Sequence, residues 1–176
     1  MRMLSIFEPG ELVMEDMPRP TLTPGHAIVE IEKCGICGSD VTAYSGKNPT
    51  MKYPIHGLGH EGVGTIVEIG ENEEGFKVGD RVALEPYVPD FSCHMCKVGR
   101  FNNCADLHVC GVHKDGMMTE YFSHPIKLLY KLPDTLNFQR AALVEPLTIG
   151  LHGATRARVS KGDHVVVFGA GTIGLM

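Results

Sequence analysis

At 176 residues the chain has room for one compact domain of ordinary size, which excludes a large multidomain enzyme. Apolar residues make up 43% and charged residues 21%, a balance that supports a packed core and excludes a disordered chain. Twenty-one acidic against sixteen basic side chains leave a net charge of -5, the wrong sign for a phosphate-backbone binder, so nucleic acid is not an expected partner.

At the N-terminus Arg2 is followed by a brief apolar run and then Glu8, Glu11 and Glu15, so no signal-peptide core of ~7 to 15 apolar residues can be drawn. A cytoplasmic location is expected, and in that reducing compartment the six cysteines read as thiols or metal ligands before disulfides. Most glycines and prolines fall in the first 125 residues and cut them into short apolar runs at Met3–Phe7, Ala27–Ile31, Thr65–Ile69 and Arg81–Leu84, which read as short strands. Between His26 and Lys33 the pattern alternates. Ala27, Val29 and Ile31 predict a buried face, while His26, Glu30 and Glu32 predict a wet one interrupted by Ile28. Glu71 to Glu74 read as a solvated turn.

From Asn137 onward Phe138, Ala141, Ala142, Leu147 and Leu151 recur at helical intervals, with Pro146 obliged to start, stop or kink the helix. His164–Phe168 is β-branched and apolar, suited to a buried parallel strand, and runs directly into Gly169-Ala-Gly171-Thr-Ile-Gly174. The apolar stretch Val165–Met176 is too short and too rich in glycine for a membrane span of about 18 residues, so no membrane partner is expected.

Cys93, Cys96 and Cys104 can converge on one ion, and Asp90 lies at the same two-residue spacing before Cys93 that Cys93 has from Cys96. A closed structural zinc site takes four protein donors, so Asp90 is the expected fourth; His94, directly beside a ligand cysteine, points away from a shared ion. The alternatives are plain thiols or a redox pair, the latter requiring a βαβ setting and leaving Cys104 unexplained. Two further sets of metal-capable groups stand in Cys34-Gly-Ile-Cys37-Gly-Ser39-Asp40 and Gly59-His60-Glu61-Gly62, with Glu145 in Val-Glu-Pro-Leu. Each alone is weak, because single cysteines, histidines and glutamates are more often structural.

Taken in order, these stretches resemble the zinc-dependent medium-chain alcohol and polyol dehydrogenases, and the likeness runs over essentially the whole chain. It is carried by Gly-Ile-Cys-Gly-Ser-Asp, Gly-His-Glu-Gly-Val-Gly at 59–64, Val-Gly-Asp-Arg-Val at 78–82, the cysteine lobe, Glu145-Pro-Leu and the final glycine fingerprint. The resemblance implies Cys37, His60 and Glu145 as ligands of a catalytic zinc, with Glu61 either a ligand or a partner of zinc-bound water, and Cys34 as packing. Glutamate at 145, where many alcohol dehydrogenases carry a cysteine, looks like the sorbitol and sugar-acid branch. Ser39 resembles the hydroxyl that receives the substrate proton, and Asp40 the carboxylate that orients the liganding histidine. Thr42 stands where the family often has a histidine for proton export, so the relay is shorter or water-based. Asp90 stands where the structural lobe usually begins with cysteine. Gly111-Val-His113-Lys-Asp-Gly116 looks like a stretch of hexonic-acid dehydrogenases.

Zinc suits alcohol oxidation because it lowers the pKa of a bound hydroxyl from ~15.7 toward ~7, and three protein ligands leave one position open for substrate. Gly169, Gly171 and Gly174 fit the turn that brings backbone close to a pyrophosphate of NAD or NADP. A dinucleotide fold needs ~30 residues and a selector ~20 beyond its glycines, so the sequence reads as an N-terminal piece of such an enzyme, inactive alone. The resemblance implies a mainly β chain with short helices: a GroES-like, partly open β-barrel over residues 1–150, its structural zinc lobe at about 88–110. Residues 151–176 are then a connecting helix and the first strand of a Rossmann fold. It also implies a homo-oligomer acting on a small polyol or sugar acid. The competing reading is a non-enzymatic, zinc-stabilised β module that binds a partner.

Overall fold

The computed structural model describes residues 1–176. The elements run β1 (Arg2–Ile6), β2 (Leu12–Asp16), β3 (His26–Gly35), α1 (Gly38–Tyr44), β4 (Glu61–Ile69), β5 (Arg81–Leu84) and β6 (Tyr87–Val88). There follow α2 (His94–Lys97), β7 (His108–Val109), β8 (Tyr121–Pro125), β9 (Leu129–Lys131), α3 (Phe138–Ala141), α4 (Val144–Arg156) and α5 (Thr172–Leu175). Five strands form an open antiparallel sheet in the order β8-β3-β4-β5-β9, flanked by the β1–β2 hairpin and the small β6–β7 ribbon. The mainly β architecture with short helices is as expected.

The four strands expected from the apolar runs are present, each within a few residues of its expected limits. In β3, Ala27 and Val29 face the core with Ile66, Val82, Met117 and Phe122, while Glu30 and Glu32 are exposed. Ile28, the apolar exception on the wet face, is fully buried as well, because two bulges shift the β3–β4 register and the sheet is covered on both sides there. The strands β2, β6, β7, β8 and β9 carry no long apolar run. They form because a neighbour offers a ladder, as when Tyr87 and Val88 pair with Val109 and His108.

The Val-Gly-Asp-Arg-Val stretch ties the sheet to the helices. Asp80 is buried, accepts the Lys77 backbone N–H at 3.1 Å and pairs with Lys131 Nζ at 2.8 Å, which holds its carboxyl below the usual range. Arg81 donates to the carbonyls of Pro133, Asp134 and Leu136 and lies over the Phe138 ring at 4.3 Å. Asn137 then caps α3, its side-chain oxygen accepting the Arg140 N–H at 2.9 Å. Helix α4 starts two residues after α3, with Pro146 in its first turn where a missing N–H costs nothing, and runs through the expected boundary at residue 150.

The expected buried strand at His164–Phe168 is not formed. No strand flanks it to accept its hydrogen bonds, and Val166 and Phe168 are 77% and 95% exposed. The glycine fingerprint nonetheless makes a turn at Gly169 (φ 98°) and opens the short α5, which lies against Gly150 of α4. No helix is long and apolar enough to cross a membrane.

His124 is buried beside Phe122 in the sheet, and burial depresses its imidazole to about 3, against a hydrogen bond to the Glu85 backbone that favours the charged form. A histidine depressed from 6.5 contributes stability that is complete above pH 6.5 and is lost as pH falls toward 3, because the unfolded chain takes the proton first. His124→Phe is expected to reduce the slope of stability against pH in that window by up to about 1.4 kcal/mol per unit, measured by urea unfolding of both proteins from pH 4 to 7.

Candidate metal centres

The two donor clusters arise differently. The first is local. The β6–β7 ribbon closes the neck of a loop in which the Asp90 Oδ1 accepts the N–H groups of Ser92 (2.8 Å) and Cys93 (3.0 Å). That turn brings Asp90, Cys93, Cys96 and Cys104 together, with one donor atom of each within 4.8 Å of all the others. The Cys93 and Cys96 sulfurs are 3.6 Å apart, and the Cys96 Sγ lies 3.3 Å from Asp90 Oδ1. The N–H groups of Cys93 and Ser92 hold the Asp90 carboxyl well below the usual carboxylate range. Cys96 is buried and pushed up to about 12, first by desolvation and then by its acidic neighbours. His94 is exposed on α2, outside the cluster.

The second cluster is assembled by the sheet. Gly35, at the end of β3, pairs with Glu61 at the start of β4, so the residues just beyond each strand end, Cys37 and His60, arrive side by side. Cys37, His60 and Glu61 each place one donor atom within 4.8 Å of the others. Glycine at 35 leaves room for the Glu61 side chain in its present position: a Cβ there would lie 1.9 Å from the carboxylate and would oblige it to move. Helix α1 starts at once, and Asp40 Oδ2 accepts the Cys37 N–H at 2.8 Å, fixing the cysteine at the helix entrance.

Asp40 does not hydrogen-bond His60. The Asp40 Oδ1, the His60 Nδ1 and the Ser39 Oγ are all buried without a partner. Thr42 is exposed, and its hydroxyl donates to the Ser39 carbonyl at 2.9 Å. Glu145, in the first turn of α4, is half-buried and within electrostatic reach of His60 and Glu61, but stands outside the three-donor group. Burial raises the carboxyls of Asp40, Glu61 and Glu145, and His60 draws all three back down.

Glu85 and Tyr87, which sequence reading passed over, line the same cleft of about 390 Å³ as Glu61 and Glu145. Burial raises the Glu85 carboxyl, and the Tyr87 phenol is raised by burial and by Glu145, Glu85 and Cys37. The available signal was an acidic residue closing an apolar strand immediately before a proline.

Buried polar atoms without partners are rare in folded proteins, and three of those here belong to His60, itself one of the donors, and to Ser39 and Asp40, two and three residues after the Cys37 thiol. A dication fits that donor chemistry: it stabilises the ionised form of each crowded acid, and zinc takes a Cys, His and carboxylate set.

The family model for the alcohol dehydrogenase GroES-like domain matches residues 23–134. The chain is 44% identical, over 98% of its length, to an uncharacterized zinc-type alcohol dehydrogenase-like protein of Haemophilus influenzae, of which it covers 51%. It is 42% identical over 99% of its length to the L-galactonate-5-dehydrogenase of Escherichia coli, again covering 51%. Among solved structures, galactitol-1-phosphate dehydrogenase from Escherichia coli superposes with a TM-score of 0.91 at 33% identity, over 99% of this chain and 50% of that one. The chain thus spans about half the length of the curated relatives it matches.

Cys34 and Cys110 belong to neither cluster, and burial pushes both thiols up to about 12. At pH 8 that leaves roughly one thiolate in 10⁴. Iodoacetamide is expected to leave Cys34 and Cys110 unmodified in the folded protein and to label all six cysteines after unfolding, read by peptide mass spectrometry.

Proposed function

The chain belongs to the family of the alcohol dehydrogenase GroES-like domain, and on that premise we propose that the whole protein is a zinc-dependent oxidoreductase moving hydride between a secondary alcohol of a polyol or sugar acid and NAD(P). The observation that carries this reading is the contrast between the two clusters. Four donors converge in the lobe, whereas three converge where β3 ends and β4 begins, with a buried, unpartnered serine hydroxyl two residues along the chain from Cys37. A closed set serves structure and an open set serves substrate. A purely structural β module has no use for the second.

In this reading Asp90, Cys93, Cys96 and Cys104 would hold a structural zinc, while Cys37 and His60 would hold a catalytic one with one acidic partner, Glu61 or Glu145, leaving a position for substrate. A zinc held by these residues would supply Lewis acidity toward a substrate hydroxyl. Ser39 Oγ would accept the substrate hydroxyl proton while passing its own proton on to water, and a nicotinamide bound by the whole protein would supply the hydride acceptor. Thr42 is bonded back to the Ser39 carbonyl, so the proton leaves Ser39 by water at the exposed side of α1. Asp40 keeps Cys37 at the entrance of α1 and thereby holds Ser39 beside the donors. Gly169, Gly171 and Gly174 form the turn against which a pyrophosphate of NAD(P) packs. Residues 1–150 are the zinc catalytic domain, and 151–176 lead into the nucleotide fold. Similarity to an L-galactonate-5-dehydrogenase supports action on a small molecule, and six cysteines without a disulfide support a cytoplasmic location.

Metal analysis of the purified chain is expected to return two zinc ions per molecule. Cys37→Ser and His60→Ala each leave the lobe zinc alone, whereas Cys104→Ser leaves the catalytic zinc and lowers the melting temperature. Zinc content unchanged in the Cys37 and His60 variants overturns the catalytic assignment. In the whole protein, Ser39→Ala is expected to lower kcat by about 10²- to 10⁴-fold with zinc content unchanged, measured as polyol-dependent NAD(P) reduction. The 176-residue chain by itself is expected to show negligible turnover.

A further inference from the structure

The Gly111-Val-His113-Lys-Asp-Gly116 loop has no part in either metal cluster, and the structure places it in a groove of about 480 Å³ opposite the segment before His60. Three of the chain's nine histidines face that groove: His56, His108 and His113. Lys52 and Lys114 join them, and neither lysine is ion-paired. The acids at hand are few. Asp115 lines the groove, Glu15 Oε2 is bound to His56 Nδ1 at 2.7 Å, and Asp106 lies 3.8 Å from His108 Nδ1.

The hydrogen-bonding inventory leans the same way. His113 Nδ1 accepts the Val109 N–H at 3.1 Å, which leaves Nε2 as an N–H donor. The His108 ring stands edge-on to that of His113, with centroids 6.2 Å apart. The Tyr53 hydroxyl is already donated to the Ala43 carbonyl. The groove therefore offers ammonium and imidazole donors to whatever enters it, on a chain whose net charge is -5.

The groove also shares its framework with the second metal cluster. Its two walls are stitched together where Gly116 and Gly111 pack on the backbone of Gly57 and Gly59, so closely that a Cβ at 116 would lie 1.7 Å from the Gly57 carbonyl oxygen. His60 is the next residue. His60 follows His56 by four residue steps, a reach of at most about 14 Å.

We infer that this groove binds the anionic end group, carboxylate or phosphate, of the polyol substrate. The donors match an acceptor-only oxyanion, and the lysines provide charge-assisted bonds that a neutral hydroxyl does not receive. The inference rests on the dehydrogenase reading for the polyol part of the ligand only; the anion site stands on the groove itself.

The test is a titration of the 176-residue chain with inorganic phosphate, galactonate and galactitol, following the imidazole ¹H–¹³C signals. Galactonate or phosphate is expected to shift His108 and His113 while leaving His94 and His152 in place, and galactitol is expected to shift none of them. Whichever anion acts identifies the end group. The Lys52→Gln, Lys114→Gln double variant is expected to weaken that binding by about tenfold or more, and Lys52→Glu alone, a charge reversal at an exposed position, guards against a folding defect in the pair. The inference is overturned if neither anion acts, if all histidines shift alike, if galactitol acts equally, or if the variants bind as the parent does. Zinc content measured on the same samples reports separately on the catalytic cluster, so loss of the anion site leaves the dehydrogenase reading intact, and the reverse also holds.

Discussion

Antiparallel pairing of the end of β3 with the start of β4 is the contact on which the functional geometry depends. With Gly35 opposite Glu61, the chain leaving β3 and the chain entering β4 present Cys37 and His60 to each other. A slip of one residue would turn the Glu61 side chain to the other face of the sheet and dismantle the cluster. Glycine at 35 serves the same geometry, since a Cβ there would displace the Glu61 carboxylate from its present position. The ion pair of buried Asp80 with exposed Lys131 and the Arg81 contacts with the 133–136 turn extend this order outward. They fix where α3 and α4 begin, and so bring Glu145 near the cluster from a helix far along the chain.

Electrostatics explains why such an arrangement is worth building. Asp40, Glu61, Glu85 and Glu145 are partly or fully withdrawn from water, and each is pushed toward its neutral form by that withdrawal. His60 is the main counterweight for Glu61 and Glu145, the Cys37 N–H for Asp40 and the Tyr87 N–H for Glu85. Crowding several carboxyls around a thiol is unfavourable without a cation, and a dication resolves it because its charge favours the ionised form of every donor at once. The lobe solves a smaller problem by local means: backbone N–H groups already hold Asp90 ionised, and its cluster needs only a closed turn.

How much was legible in the sequence followed from how local each feature is. The runs in β1, β3, β4 and β5 alternate or cluster strongly enough to be read directly, and Asn137 marked the start of the helical region. The short strands β6 to β9 were not legible, because two- to five-residue segments such as Leu129–Lys131 form only when a neighbour offers its edge. His164–Phe168 shows the reverse. Its composition is that of a buried strand, yet composition cannot supply hydrogen-bond partners, and the segment stays exposed. Asp90 was found from spacing alone, since four donors within fifteen residues can meet through one turn. Glu85 and Tyr87 carry only a local signal, an acid between an apolar strand and a proline, and that signal does not tell which cleft β5 leads into.

Sequence alone determined the chemistry available: which side chains can bind a metal, where short strands alternate, where glycine permits a turn, and which stretches resemble a dehydrogenase. Tertiary structure decided which of these groups meet. It joined Cys37 to His60 and Glu61, left Glu145 nearby but apart, turned Asp40 toward the Cys37 backbone and not toward His60, and set three histidines around one groove. The physical reason is that donor identity and local spacing are properties of a few neighbouring residues. Register, burial and the approach of distant segments are set by the packing of the whole sheet.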